Sequence, residues 1–348
     1  MEFSGLIKPY PSGRRLTEAE SSRRLDQKKC ASSEPHYQLC VIKLNSTYLE
    51  SVDKWFGWKG VISAVAVVIF LMFAIAYIGL VEISLSRESD SYSPDGDLVV
   101  LISAAIIVLP ILLCAAWLLR KESFAYTHYP MRFNRRTRTV HVFRPNGTVL
   151  SVPWDKVCFT MGHLAQWNEW EVRGHVLEPD GLTVRETFAL SHVDMISAED
   201  ADASRSQSSS NDYVRAHWEF VRRYMEEGPQ AVSDQVRFCM PIHNNRESFR
   251  GGVERVFANI SAAPFILYWI LFPFCGIVSI FRLFAMRTCK IPQWPDEVEV
   301  SCGIDLGDPF AIEGAADGAR IAVFPQAAAA AGVGFQPTVR SSELKRAK

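Results

Sequence analysis

The chain has 348 residues, 48% of them hydrophobic and 22% charged, with a net charge of −1. That balance is too apolar for a disordered protein and too rich in Pro, Gly and charge for a chain immersed in lipid throughout; the length predicts two or three structural units. Near-neutrality gives no electrostatic reason to expect a nucleic-acid partner, and the eight cysteines, spaced without a CxxC, read as thiols in a reducing compartment.

Residues 1–59 form an N-terminal segment too long and polar for a signal-peptide n-region, so no cleavage is expected. Tyr37 to Leu44 has strand character. Tyr48, Leu49, Val52, Trp55 and Phe56 follow helical spacing, which predicts an amphipathic helix, either lying along the lipid headgroups or packed on the soluble domain. Residues 60–81 and 98–119 are each 22 residues without a charge, about 33 Å of helix, enough to cross a bilayer. Trp55, Phe56 and Trp58 before the first run, and Trp117, Arg120 and Lys121 at the end of the second, read as anchors at the membrane interface. The connection 82–97 carries one base, Arg87, whereas Arg120, Lys121, Arg132, Arg135, Arg136 and Arg138 follow the second run. The positive-inside rule therefore places the short loop outside and residues 1–59 and 120–255 in the cytosol.

Within 120–255 an antiparallel β-meander is predicted over 131–190. Strands are expected at Thr137 to Arg144, Thr148 to Pro153, Lys156 to Met161, Trp167 to Leu177 and Leu182 to Leu190, with turns at Pro145-Asn146-Gly147 and Glu178-Pro179-Asp180-Gly181. Ala198 to Asn211 reads as a mobile loop. From Asp212, Val214, His217, Trp218, Val221, Tyr224 and Met225 form the apolar stripe of a helix that Gly228-Pro229 ends, with Arg215, Glu219, Arg222 and Glu226 on its polar side. The third apolar run, 256–281, is long enough to cross but holds Pro264 and Pro273 and is basic on both flanks, which leaves a re-entrant hairpin and a kinked span both open. Residues 282–348 form an acidic tail with a disordered end. The expected fold class is thus a membrane α-helical hairpin plus an α+β cytosolic domain.

No GxxxxGK[ST], HExxH, GxSxG or dinucleotide GxGxxG is present, and the apolar runs hold no acid, base or histidine for an ion path. Cys158 with His163 suggests a thiolate–imidazole pair, but a strand cysteine beside a loop histidine is the simpler reading. His217 reads as packing and Asp155 as a turn or corner cap. Glu169, Glu171 and Glu178 are expected on the wet face of the sheet. Trp154, Trp218 and Tyr224 are expected in the core, with an interface role as the alternative. Arg132, Arg135, Arg136 and Arg138 are a candidate contact for anionic lipid or for a protein partner. No catalytic residue, cofactor or metal is expected.

The strand-then-helix order over Phe124 to Glu227 resembles pleckstrin-homology-like domains. Trp154-Asp155, the run Trp218-Glu219-Phe220-Val221-Arg222-Arg223-Tyr224-Met225-Glu226-Glu227-Gly228-Pro229, and Pro292-Gln293-Trp294-Pro295-Asp296-Glu297-Val298-Glu299 together resemble an uncharacterised family of proteobacterial inner-membrane proteins often encoded beside type VI secretion effectors. The resemblance implies an immunity or accessory factor that protects a cell against a toxin or assists it; with the missing catalytic set and the two clean spans, the expectation is a non-enzymatic, multi-pass inner-membrane protein that binds and neutralises a toxin. The alternative expectation is a membrane-tethered sensor or scaffold that binds anionic lipid or a protein.

Overall fold

Strands and apolar helices are interleaved along the chain. The computed structural model describes residues 5–38, 40–86, 94–164, 169–191, 210–236, 239–258 and 265–313. The first elements are β1 (Arg14–Arg15), α1 (Glu18–Ser22), β2 (Arg24–Leu25), β3 (Val41–Leu44) and β4 (Tyr48–Ser51). A 3-10 turn at Phe56–Trp58 leads into α2 (Val61–Leu85), and α3 (Pro94–Ser123) follows. Then come β5 (Met131–Asn134), β6 (Thr139–Phe143), β7 (Val149–Pro153), β8 (Val157–Leu164), β9 (Glu169–Leu177) and β10 (Thr183–Ala189). The described chain closes with α4 (Ser210–Glu226), α5 (Phe249–Ala258), α6 (Phe265–Thr288), α7 (Asp296–Ser301) and β11 (Ile312–Glu313).

All strand pairs are antiparallel and form two sheets, ordered β11-β3-β4-β5-β6-β7 and β1-β10-β9-β8-β2. The β6–β7 hairpin turns where expected: Gly147 sits at φ +85°, a conformation a Cβ disfavours, and Arg144 N–H donates to the Thr148 carbonyl at 2.8 Å. The 3-10 turn at Trp154–Lys156 carries the chain from one sheet to the other. There Trp154 stacks on Trp218 of α4 at 5.6 Å, with Phe159 4.6 Å from the same indole. Trp154, Trp218 and Tyr224 are all core. Gly228, at φ +104°, ends α4 as the sequence indicates.

Several expectations are corrected. Tyr48 to Ser51 is a strand and not a pre-membrane helix, because β4 is paired on both sides, to β3 and to β5, and all four residues are buried. The described residues before Gly60 and from Lys290 to Glu313 are part of the same body: they supply β1 to β4 and β11, and Trp294 is buried with Tyr48 and Phe143. The polar side of α4 is also covered, since Glu219 accepts from the Ala31 N–H at 2.9 Å and Arg223 donates to Ser33 O at 3.0 Å. Glu171 is fully buried, paired with Lys54 and Arg173, so that strand face is not wet; Glu178 lies beyond β9 in the turn. The side chain of Glu169, most of the Ala198 to Asn211 loop and everything after Glu313 fall outside the described residues.

Among the described residues, three helices are long and apolar enough to cross a membrane, within Phe56–Leu85, Gly96–Ser123 and Ile266–Thr288. Pro110 and Pro273 are retained inside α3 and α6, as lipid-facing helices tolerate. α2 and α3 lie side by side with Ser63 Oγ and Ser123 Oγ 2.5 Å apart at one end. They are inserted between β4 and β5, strands adjacent in the sheet. α5 and α6 run antiparallel, since Gly252 meets Arg282 while Phe257 meets Phe272 at 5.1 Å. The described flanks of the third apolar run, α5 before it and the residues after Thr288, therefore belong to the same body. A single crossing that put Lys290 on the far side would separate Trp294 from Glu50 and β11 from β3.

At the foot of α2, Gly60 has φ +101°, and a Cβ there would lie 2.6 Å from the Arg282 backbone nitrogen. Gly60→Ala combines backbone strain with a backbone clash and is expected to cost roughly 2–4 kcal/mol. Thermal unfolding in detergent measures it, and an unchanged midpoint would refute the close approach.

Candidate functional site

The roots of the three long helices meet at a buried polar junction. Arg282 on α6 donates to both carboxylate oxygens of Glu247, at 2.6 and 3.1 Å, and to the carbonyls of Phe56 and Lys59 at 2.9 and 3.1 Å. Arg255 on α5 lies 3.6 Å from the same carboxylate, and both guanidiniums lie over the Phe56 ring, 4.6 and 4.9 Å from its centroid. Burial pushes the Arg255 guanidinium down to about 9, with Glu247 opposing and Arg282 adding to the fall, so it is still a cation at neutral pH. Glu122 accepts from the amides of Gly60 and Ser63 at 3.0 and 2.6 Å, capping α2 with a carboxylate from α3.

A second buried charge centre sits in the six-stranded sheet. Arg132 is clasped between the rings of Tyr48 and Trp294, 4.7 and 4.8 Å away, with Glu50 3.3 Å from its Nε and Glu299 accepting at 3.1 Å. Burial works to raise the Glu50 carboxyl, but His243, Arg132 and the Trp294 N–H outweigh it and hold it at about 2.

Two clefts open beside the helix roots and share Leu6, Lys121, Tyr129 and Pro145. The larger, about 560 Å³, lies between β5–β6 and β10 with Tyr10 and Trp55 on its wall. Its rim holds the Arg144–Glu186 ion pair. Asp53 is at its base, accepting from the Tyr129 amide at 2.6 Å and the Trp55 amide at 3.1 Å. The smaller, about 480 Å³, lies against the last turn of α3.

At the opposite end of the sheet, away from the residues that join β4 and β5 to the helices, a short apolar tip projects. Val300 is 83% exposed and Leu306 100%, with Ile304 between them. The tip is held firmly: Asp308 accepts from Ser46 N and Oγ at 2.6 and 2.7 Å, Thr47 donates to Gly303 O, Asn134 donates to Ser301 O, and Arg136 pairs with Asp305 at 2.7 Å.

The residues singled out from sequence are dispersed. Phe56 is buried in the root junction and is no lipid anchor, whereas Trp55 and Trp58 are half-buried; Trp117 is exposed with the Lys121 ammonium 5.7 Å from its ring, and Arg120 is exposed. The four arginines offered as a lipid contact do not form one patch. Arg132 is fully buried, Arg136 pairs with Asp305, and Arg138 pairs with Asp155 at 2.6 Å and Glu226 at 2.7 Å. Arg135 to Arg138 follow β5 at the end remote from α3. Asp155 is therefore an ion-pair partner on the 3-10 turn. Cys158 and His163 are five positions apart on β8 and so face opposite sides; Cys158 is opposite His175, and the His163 ring lies 4.5 Å from Trp170. His217 packs inside, its Nδ1 3.2 Å from His36 O. No group of three or more metal-ligating side chains occurs among the described residues. Glu247, Arg255 and Arg282 were legible only as charges flanking an apolar run; nothing in their spacing marks them as one cluster.

The profile of a family described as being of unknown function, DUF6708, matches residues 106–305, more than half of the chain. It takes in α3 from Ile106 onward, the strands from β5 to β10, α4, α5, α6 and α7. No curated protein and no solved structure matches.

Proposed function

The chain belongs to the DUF6708 family, and from that premise we propose that it is a non-enzymatic, membrane-anchored binding protein whose soluble body captures and neutralises a protein toxin. The observation that carries the reading is the apolar tip. Val300 and Leu306 are large hydrophobic side chains turned to solvent on a segment that five side-chain hydrogen bonds and ion pairs hold in place. Such a pre-ordered apolar knob loses little entropy on docking and suits a hot spot of a protein interface. It points away from the three helices, where a partner has free access. The resemblance to inner-membrane proteins encoded beside type VI secretion effectors supplies the class of partner, a toxic effector. With basic flanks inside, the body lies on the cytoplasmic face of the inner membrane. The strand order β4 to β10 followed by α4 supports the resemblance to a pleckstrin-homology-like body, with the α2–α3 pair inserted after its first strand.

The test pairs deletion with surface variants. Cells lacking the gene are expected to succumb to sister cells that deliver the toxin, and the full-length protein in detergent is expected to co-purify with it. Val300→Asp with Leu306→Asp should weaken that complex at least tenfold, above about 1.4 kcal/mol, while leaving the unfolding midpoint unchanged. Full resistance of the deletion strain, or undiminished capture by the double variant, would refute the reading.

A further inference from the structure

Most of the body's buried or half-buried arginines have a carboxylate: Arg132 has Glu50 and Glu299, Arg138 has Asp155 and Glu226, Arg144 has Glu186, Arg222 has Glu219, and Arg282 has Glu247. The smaller cleft instead gathers exposed cations. Arg120, Lys121 and Lys290 line it together with Trp117, Phe124 and Tyr126. Among the described residues no acidic side chain lines it and no ion pair includes any of the three cations. The cations come from different parts of the chain. Arg120 and Lys121 are on the last turn of α3, and Lys290 follows α6, where its carbonyl accepts from the Thr127 N–H at 2.8 Å and its N–H donates to Ala125 O at 2.9 Å. The backbone of each cation is therefore fixed, although all three side chains are exposed.

The position fits a lipid better than a soluble anion. The cleft begins where the charge-free run 98–119 ends, and Trp117, the kind of residue that sits at headgroup depth, is on its wall. Above it, Leu109 and Leu113 of α3 turn their side chains outward, so that acyl chains can run along the helix. About 480 Å³ is within the range of small-ligand sites and accommodates a headgroup. Three cations close to a phosphate offer about 1 kcal/mol each near a membrane surface, and the cleft sets their geometry. The sequence had pointed for this role to Arg132, Arg135, Arg136 and Arg138, which the fold gives to acids or places remote from α3.

We propose that the cleft formed by Arg120, Lys121 and Lys290 beside Trp117 holds the phosphate headgroup of an anionic phospholipid in the leaflet next to the soluble body. The inference is independent of any protein partner.

Full-length protein in a neutral detergent is titrated with phosphatidylglycerol or phosphatidylcholine, and retained lipid and the unfolding midpoint are read. Phosphatidylglycerol is expected to be retained at least tenfold more tightly and to raise the midpoint. The triple variant Arg120→Gln, Lys121→Gln, Lys290→Gln should lose that preference. Arg15→Gln, Lys29→Gln, Lys156→Gln removes the same charge elsewhere on exposed positions and should keep it. Equal retention of the two lipids, or an unchanged preference in the first triple variant, would overturn the proposal. So would equal stabilisation by soluble glycerol phosphate, which would make the site one for a free anion.

Discussion

Glu247→Gln is expected to cost roughly 3–5 kcal/mol of stability, the range found when one partner of a buried ion pair is removed. The reason is the count of charges: Arg255 and Arg282 are both fully buried, and the ion-pairing carboxylate at hand for both is that of Glu247. Without it, two guanidiniums that both lie against the Phe56 ring repel one another in a medium that screens them poorly. Thermal or denaturant unfolding of the full chain in detergent measures the loss. Because α6 is rooted by Arg282 to the carbonyls of Phe56 and Lys59, the same variant should loosen α5 and α6 from the foot of α2 and raise protease sensitivity there. Adding Arg255→Met to Glu247→Gln removes the surplus cation and should recover part of the loss. A double variant as unstable as the sum of its parts would argue against charge imbalance and for simple loss of packing.

Acid should unfold the body well before its carboxylates titrate. His128, His141 and His175 are buried, and burial lowers their pKa from 6.5 to about 3, 4 and 4. Nearby cations add to the fall: Arg132 for His141, and Arg14 and Arg173 for His175, where Glu20 opposes them. In the unfolded chain each takes a proton below about pH 6.5, whereas in the folded chain each stays neutral until far lower. Stability therefore falls as pH drops from about 6.5 towards 4. At pH 5 each histidine accounts for a loss of about 2 kcal/mol, roughly 6 kcal/mol together. Glu20, Glu50 and Glu219, held at about 2, have the opposite history: their stabilisation is whole above about pH 4.5 and is lost only below it. Unfolding midpoints should be nearly level from pH 7.5 to about 6.5 and decline from there to pH 5, with about three protons taken up on unfolding at pH 5. His175→Gln should remove about a third of the slope. A midpoint flat from pH 7 to 5 would show that these histidines are hydrated.

Much of this was legible in local pattern. Two charge-free runs, the alternation of Val140 and Val142 with polar neighbours, the turn at Asn146-Gly147, the stripe from Val214 to Met225 and the stop at Gly228 each report backbone geometry within a few residues, and each lies where the residues indicated. The failures share one cause. Tyr48 to Ser51 has helical spacing but is a strand because β3 and β5 supply hydrogen-bonding partners from both sides, one of them on the far side of two long helices.

Solvation also separates what a one-dimensional pattern can carry from what it cannot. An apolar run states how its own residues are solvated, so the lengths that suit lipid and the faces that suit a core are written along the chain. A charged side chain does not state its partner. Arg132, read as surface, is buried because Glu50 from β4 and Glu299 from α7 converge on it; Glu171, read as wet, is buried because Lys54 arrives from another strand connection. Whether such a group faces water or an opposite charge depends on contacts between positions 82 to 167 residues apart. Those contacts arise only when the two sheets close around the helix roots, and they leave Arg120, Lys121 and Lys290 together in a cleft where no acid is among the described lining residues.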